Sequence, residues 1–183
     1  FMKRDMIHIK TPEQVAIMQH GGKILSSVLW DVMHAIKPGL TELEIDQLAE
    51  KLILERGGEP GFKRVDGYKH TICISTNDVV VHGIPGSYVV KAGDVVGVDC
   101  GVYYKGFHTD MSESIRVGSD GTKADAVDKF LANGKEALNA AITFAQVGNR
   151  IGDISKTIQD IVEKKGGYAV VRSLIGHGVG RDL

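Results

Sequence analysis

The sequence predicts an α+β chain in which helices cover an antiparallel sheet, built from two related halves of which the second is incomplete. Three observations predict it: an amphipathic helix pair near the start, a series of short β-branched runs after it, and a second helix pair in phase with the first. At 183 residues there is room for one domain, here two halves spanning about 6–118 and about 119–183. Phe1 ahead of Met2 reads as a processing remnant outside the fold.

Thr11-Pro12-Glu13-Gln14 marks a helix start: a Thr N-cap, Pro in the first turn, and Gln14 placed to close a capping box. Val15, Met18, Leu25, Val28, Leu29, Val32, Met33 and Ile36 then recur at helical spacing until Pro38-Gly39 stops the run. Thr41 and Glu44 form a second capping box, and Ile45, Leu48, Ala49, Leu52 and Ile53 make a second stripe that ends at Gly57-Gly58. Between the helix pairs, Thr71–Ser75, Val79–Val81, Tyr88–Val90, Val95–Tyr104 and Phe107–Val117 read as antiparallel strands punctuated by turn residues. In the second helix pair Val127, Leu131, Leu138, Ala141, Ile142 and Ala145 are followed by Ile154, Ile158, Ile161 and Val162, and then by Gly166-Gly167. One ungapped offset of 109 residues superimposes the glycine pairs, Gly39 on Gly148, Ile45 on Ile154 and Leu52 on Ile161, which is the pattern of an internal duplication. Only 16 residues follow Gly167, so the second sheet segment is expected to be cut short.

The balance of 22 basic and 23 acidic residues carries no electrostatic excess that would favour nucleic acid or an anionic membrane. Cys73 and Cys100 are the only cysteines and imply no disulfide framework, which fits a cytoplasmic protein. No apolar stretch approaches the ~18–20 residues needed to cross a bilayer.

Asp99 closes the apolar run Val95-Val96-Gly97-Val98, where an unpaired carboxylate would be costly to bury. With Lys105-Gly106 as a two-residue turn, Tyr104 faces Phe107, Gly101 faces Asp110 and Asp99 faces Ser112. Both aspartates then project from one face as diagonal neighbours with backbones ~7–8 Å apart. A divalent cation, a proton held by one carboxyl or covering basic side chains would each relieve their repulsion. His177 sits among three glycines in Ile175–Gly180, and His82 ends the run Val79–Val81 ahead of Gly83. Each also has an ordinary reading, as a surface residue and as a strand-end histidine bonded to backbone. His8, His20, His34 and His70 lack a neighbouring acid or glycine pattern and read as surface residues, while His108 belongs to the aspartate hairpin.

Four motifs together carry a resemblance: CISTNDVVVHGIP at 73–85, GDVVGVD at 93–99, GFHTD at 106–110 and GHGVGR at 176–181. In this order they resemble the type I methionine aminopeptidases in their short bacterial form, from about Met6 to the last residue. The resemblance implies the duplicated "pita-bread" fold as a single catalytic domain, and a pair of divalent metal ions (Co, Mn, Fe or Zn). Asp99, Asp110 and His177 match three of five ligands, and the two glutamates that complete the set belong to a part absent from this chain. On this likeness His82 would hydrogen-bond the substrate beside the scissile peptide, and Tyr68, Cys73 and Leu183 would line the methionine pocket, with Phe62 and Val65 as weaker candidates. Packing in the core explains Cys73 equally well. The implied reaction is removal of the first methionine from nascent polypeptides with a small second residue, at the ribosome. The enzyme would be a monomer when intact and would bind neither nucleic acid directly nor membrane. The alternatives are another pita-bread hydrolase, such as a proline-specific peptidase, and a metal-free peptide-binding module of the same fold. Retention of Asp99, Asp110, His177 and His82 together argues against the second.

Overall fold

The computed structural model describes residues 8–118 and 126–183. Phe1-Met2 and the start of the resemblance at Met6 lie outside the described residues. The chain divides into two compact units, Phe1–Val117 with Gly178–Leu183, and Gly118–His177.

In the first unit α1 runs Pro12–Ala35 and α2 runs Glu42–Glu55. Both begin with the capping boxes that the sequence predicts: Thr11 Oγ1 accepts from Gln14 N–H, and Thr41 Oγ1 accepts from Glu44 N–H. Between the helices Gly39 takes φ +100°, a left-handed conformation that a β-carbon would disfavour. Four strands follow: β1 Glu59–Pro60, β2 Ile72–Thr76, β3 Val95–Tyr104 and β4 Phe107–Arg116. All pairings are antiparallel and β3 is central, with β4 along one edge and β1 and β2 along the other. Lys105 and Gly106 turn the hairpin with φ +46° and +91°, the left-handed pair that a tight two-residue connection requires.

The sheet has two different faces because side chains alternate along each strand. Val96, Val98, Cys100 and Val102 of β3, with Ile72 and Ile74 of β2, point to one side and are buried with Leu25, Val28, Leu29 and Val32 of α1 and Ile45, Ala49 and Ile53 of α2. This is the hydrophobic core, and it leaves the other face, bearing Cys73, Ser75, Gly97, Asp99, Gly101 and Asp110, available for chemistry.

Two of the expected strands are not strands. Val79–Val81 lies in a loop bounded by left-handed residues, Asn77 at φ +54° and His82 at φ +56°, and its three valines are exposed. Tyr88–Val90 contributes a single bridge between Val89 and Thr41. The apolar composition of both segments imitates a strand, but their backbone bonds go to helix ends and strand edges rather than to a ladder. Conversely, β1 and the short 3₁₀ turn Phe62–Arg64 carry no periodicity or turn signal that marks them in the sequence.

The second unit contains α3, Ala126–Ile142, and α4, Ile151–Gln159, which runs into a π-helical turn at Asp160–Lys165. Gly148 takes φ +95°, close to that of its counterpart Gly39. The ungapped offset fails at the helix end: the left-handed glycines are Gly57 (φ +78°) and Gly167 (φ +71°), one residue further apart than the offset of 109 allows. The wider turn, in which Gly166 N–H reaches back to the Ile161 carbonyl, absorbs the extra residue.

Candidate metal centre and substrate pocket

The hairpin register is the one the two-residue turn requires, with Tyr104 opposite Phe107, Gly101 opposite Asp110 and Asp99 opposite Ser112. Asp99 and Asp110 are therefore diagonal neighbours on the non-core face, both partly buried. On the other side of Asp99 its direct partner in β2 is Cys73, so a thiol and two carboxylates share one stretch of sheet.

This proximity is legible in the electrostatics. Burial pushes the Cys73 thiol above its ordinary range, a hydrogen bond with Tyr68 opposes that, and the negative charges of Asp99 and Asp110 push it further up. The Tyr68 phenol is likewise raised, first by burial and then by its hydrogen bond with Cys73, and it donates to the Ile72 carbonyl at 2.7 Å. Cys73 and Tyr68 are thus neutral, poorly solvated groups, suited to forming an uncharged wall beside two acids. Phe62 adds to that wall. Its ring lies directly over Gly101, where a β-carbon would come within 2.6 Å of Phe62 Cε1, so only glycine lets the ring settle on the sheet opposite Asp110. Val65, one residue past that turn, is 45% exposed.

Asp46 fixes the start of β2. One oxygen of this buried carboxylate accepts from Thr71 N–H at 2.7 Å and Ile72 N–H at 3.0 Å, while the other lies 3.5 Å from His70 Nδ1. His70, expected to be an isolated surface residue, thus has an acid partner, and its ring also meets Tyr68 edge-on. The only signal for Asp46 was a charged residue interrupting the apolar face of a helix.

His82 is exposed, in the loop that leaves β2. Gly83 presses that loop onto the strand edge: Ile74 N–H donates to its carbonyl at 2.9 Å, and its N–H donates to Ser75 Oγ at 3.3 Å. A β-carbon at Gly83 would stand 2.0 Å from the Ile74 oxygen, so the approach excludes every other residue. His108, on the same face as Asp110, is buried; burial holds its imidazole below the usual range, with the Arg64 charge acting in the same direction. Leu183 is the last residue of a segment that returns to the first unit, where His108 N–H donates to the Gly180 carbonyl. His177 is the last residue of the second unit.

Among the described residues no group of three or more His, Cys, Asp or Glu side chains is gathered as a metal cage. The pair Asp99 and Asp110 nonetheless fits divalent cations, since two partly buried carboxylates on one face concentrate negative charge that such an ion offsets. No described helix is long and apolar enough to cross a membrane.

Comparison with known proteins gives a consistent assignment. Residues 16–183 match the model of metallopeptidase family M24. The chain is 40% identical to a methionine aminopeptidase of Clostridium perfringens, over 97% of this chain and 70% of that protein. It is 39% identical to methionine aminopeptidase 1 of Bacillus subtilis over the same shares. The crystal structure of the Thermotoga maritima methionine aminopeptidase superimposes with a TM-score of 0.89 at 37% identity, covering 97% of this chain and 70% of that one. A prolidase from Pyrococcus furiosus shares the fold at a TM-score of 0.81 but only 22% identity, over 95% of this chain and 49% of its own. The architecture is the pita-bread fold, and the chain belongs to the M24 metallopeptidases.

Proposed function

We propose that the protein carrying this chain performs metal-dependent removal of the N-terminal methionine from polypeptides whose second residue is small. The observation that supports it most is one face of β3 and β4 bearing Asp99 and Asp110 beside the neutral pair Tyr68 and Cys73, in a chain 40% identical to an enzyme named for that reaction. In this reading Asp99, Asp110 and His177 supply three of the five ligands of a pair of divalent ions, Co, Mn, Fe or Zn. Bound there, the ions would polarise the peptide carbonyl and make water a competent nucleophile at neutral pH.

This chain's own residues take further parts. Asp99 and Asp110 set the negative charge that would hold the cations. Tyr68, Cys73 and Leu183 accept the thioether side chain; keeping Cys73 a thiol and Tyr68 a phenol avoids burying a charge against it. His82 hydrogen-bonds the substrate beside the bond to be cut and stabilises charge that develops there. Substrates are the N-termini of nascent chains at the ribosome. The enzyme acts in the cytoplasm as a monomer, with no direct contact to nucleic acid and no membrane attachment.

The test is turnover of Met-Ala and Met-Lys peptides by the protein that carries this chain, before and after chelation. Expected is a strong preference for Met-Ala that chelation abolishes; equal rates on both peptides, or activity indifferent to chelator, would overturn the reading. His82→Ala is expected to lower kcat by ~10²–10⁴-fold.

A further inference from the structure

The loop that carries His82 is held by a residue that has no part in the chemistry. Glu42 is the first residue of α2, yet its carboxylate is turned inward and is only 8% exposed. One oxygen accepts from Thr76 Oγ1 at 2.7 Å, and the other accepts from Gly86 N–H at 3.1 Å. Thr76 is the last residue of β2 and Gly86 lies where the loop comes back, so one carboxylate clasps both limbs of the segment bearing His82. The surrounding bonds all run the same way. The otherwise unpaired N–H groups of Glu42 and Leu43 at the helix start donate to the carbonyls of Tyr88 and Gly86, each at 3.1 Å. Asp94 accepts from Asn77 Nδ2 at 3.0 Å and Tyr88 Oη at 2.9 Å, closing the base of the loop. Between these anchors His82 holds φ +56°, a conformation that costs a non-glycine residue energy and persists only where its surroundings impose it.

We propose that Glu42 is a positioning residue for His82: by bonding Thr76 and Gly86 together it fixes the span of the loop and so the place from which the imidazole meets substrate. This rests on the reading of His82 given above and adds to it the residue that acts through it. The nearer pin, Gly83 on the β2 edge, sets the height of the loop over the sheet. The Glu42 clasp sets its width, and losing it unties Gly86 N–H from the Thr76 hydroxyl and leaves the returning limb held by backbone bonds alone.

The experiment reads His82 directly. In histidine-labelled protein the ring Cε1–Hε1 resonance of His82, assigned by its disappearance in His82→Asn, is compared across Glu42→Ala, Glu42→Gln and Thr76→Val, with amide exchange followed at Ile74 and Gly86. Glutamine can accept from Gly86 through its oxygen and donate to the Thr76 hydroxyl through its nitrogen, whereas alanine can do neither. Expected for Glu42→Ala is a shifted and broadened His82 signal and exchange at Gly86 faster by roughly tenfold or more, with the amides of β3 unchanged. Glu42→Gln should restore the wild-type spectrum, and Thr76→Val should give a smaller displacement of the same kind. An unmoved His82 signal in Glu42→Ala, or a Glu42→Gln spectrum as displaced as that of alanine, would overturn the proposal. If Glu42→Ala does not fold, Glu42→Gln and Thr76→Val decide it: no displacement in Thr76→Val would then count against the clasp. Turnover judges the other reading separately, since an unchanged kcat in His82→Ala removes His82 from the chemistry without touching the spectral result.

Discussion

The two helix pairs share a periodicity but differ in what they bury. In the first unit α1 and α2 submerge Leu25, Val28, Val32, Ile45 and Ile53 almost completely, whereas α3 buries only Ala137 and Ala141, and α4 has no buried residue. Leu138 and Ile142 remain 52% and 59% exposed although they stand in the apolar stripe of α3. The stripe of α1 and α2 meets β2, β3 and β4, while the second unit contains no strand among its described residues. An amphipathic pattern thus specifies which side of a helix seeks cover; the burial energy comes only from the partner surface.

The largest effect expected from this contrast is at matched leucines. Leu29→Ala should cost the first unit ~2–5 kcal/mol, while its counterpart Leu138→Ala should change the second by less than ~1 kcal/mol, both read by residue-resolved hydrogen exchange in denaturant. Comparable losses would mean that α3 is covered in solution and would break the comparison. Next come the turn glycines, where the units are expected to agree. Gly39 and Gly148 both hold strongly positive φ, and a β-carbon at either would meet open space, so alanine there should cost ~1–2 kcal/mol through backbone strain alone. A large cost at one and none at the other would show that the shared turn is not equally formed.

The caps differ again. Thr41→Ala removes the hydroxyl that accepts from Glu44 N–H and should destabilise α2 by ~1 kcal/mol. Arg150→Ala should cost α4 a few tenths at most, because its side chain offers no acceptor and the bond from Arg150 N–H to Asp153 survives the change. Equal losses in thermal melts would remove the distinction. The smallest effect is a pH dependence at the start of α2. The Thr41 backbone N–H, followed by the Thr41 hydroxyl, holds the Glu44 carboxyl below its ordinary value of 4.5. A lowered folded-state value means that Glu44 supports α2 above about pH 4.5 and loses that support as the pH falls through the folded value. Amide exchange at the start of α2 should therefore quicken on acidification, and Glu44→Gln should flatten that response.

Some of the site was readable in the chain because its causes are local. The Thr11 and Thr41 boxes close over three residues, Lys105-Gly106 admits one tight turn, and alternation then places Asp99 and Asp110 on one face. Other parts had no such signature. Asp46 bonds Ile72 across 26 residues and Glu42 bonds Gly86 across 44, separations at which nothing in the order of residues marks the partners. Phe62 settles on Gly101 only after β1 has brought the preceding segment to the sheet.

The sequence by itself determined the helices with their caps, the β3–β4 hairpin and its register, because each follows from steric and hydrogen-bonding preferences within a few residues. Tertiary structure alone decided that Val79–Val81 is an exposed loop rather than a strand, and that buried acids of α2 hold β2 and the His82 loop in place. The physical reason is that a backbone bond or a buried carboxylate takes whichever partner the packed fold brings within about 3 Å, and chain order carries no record of that choice.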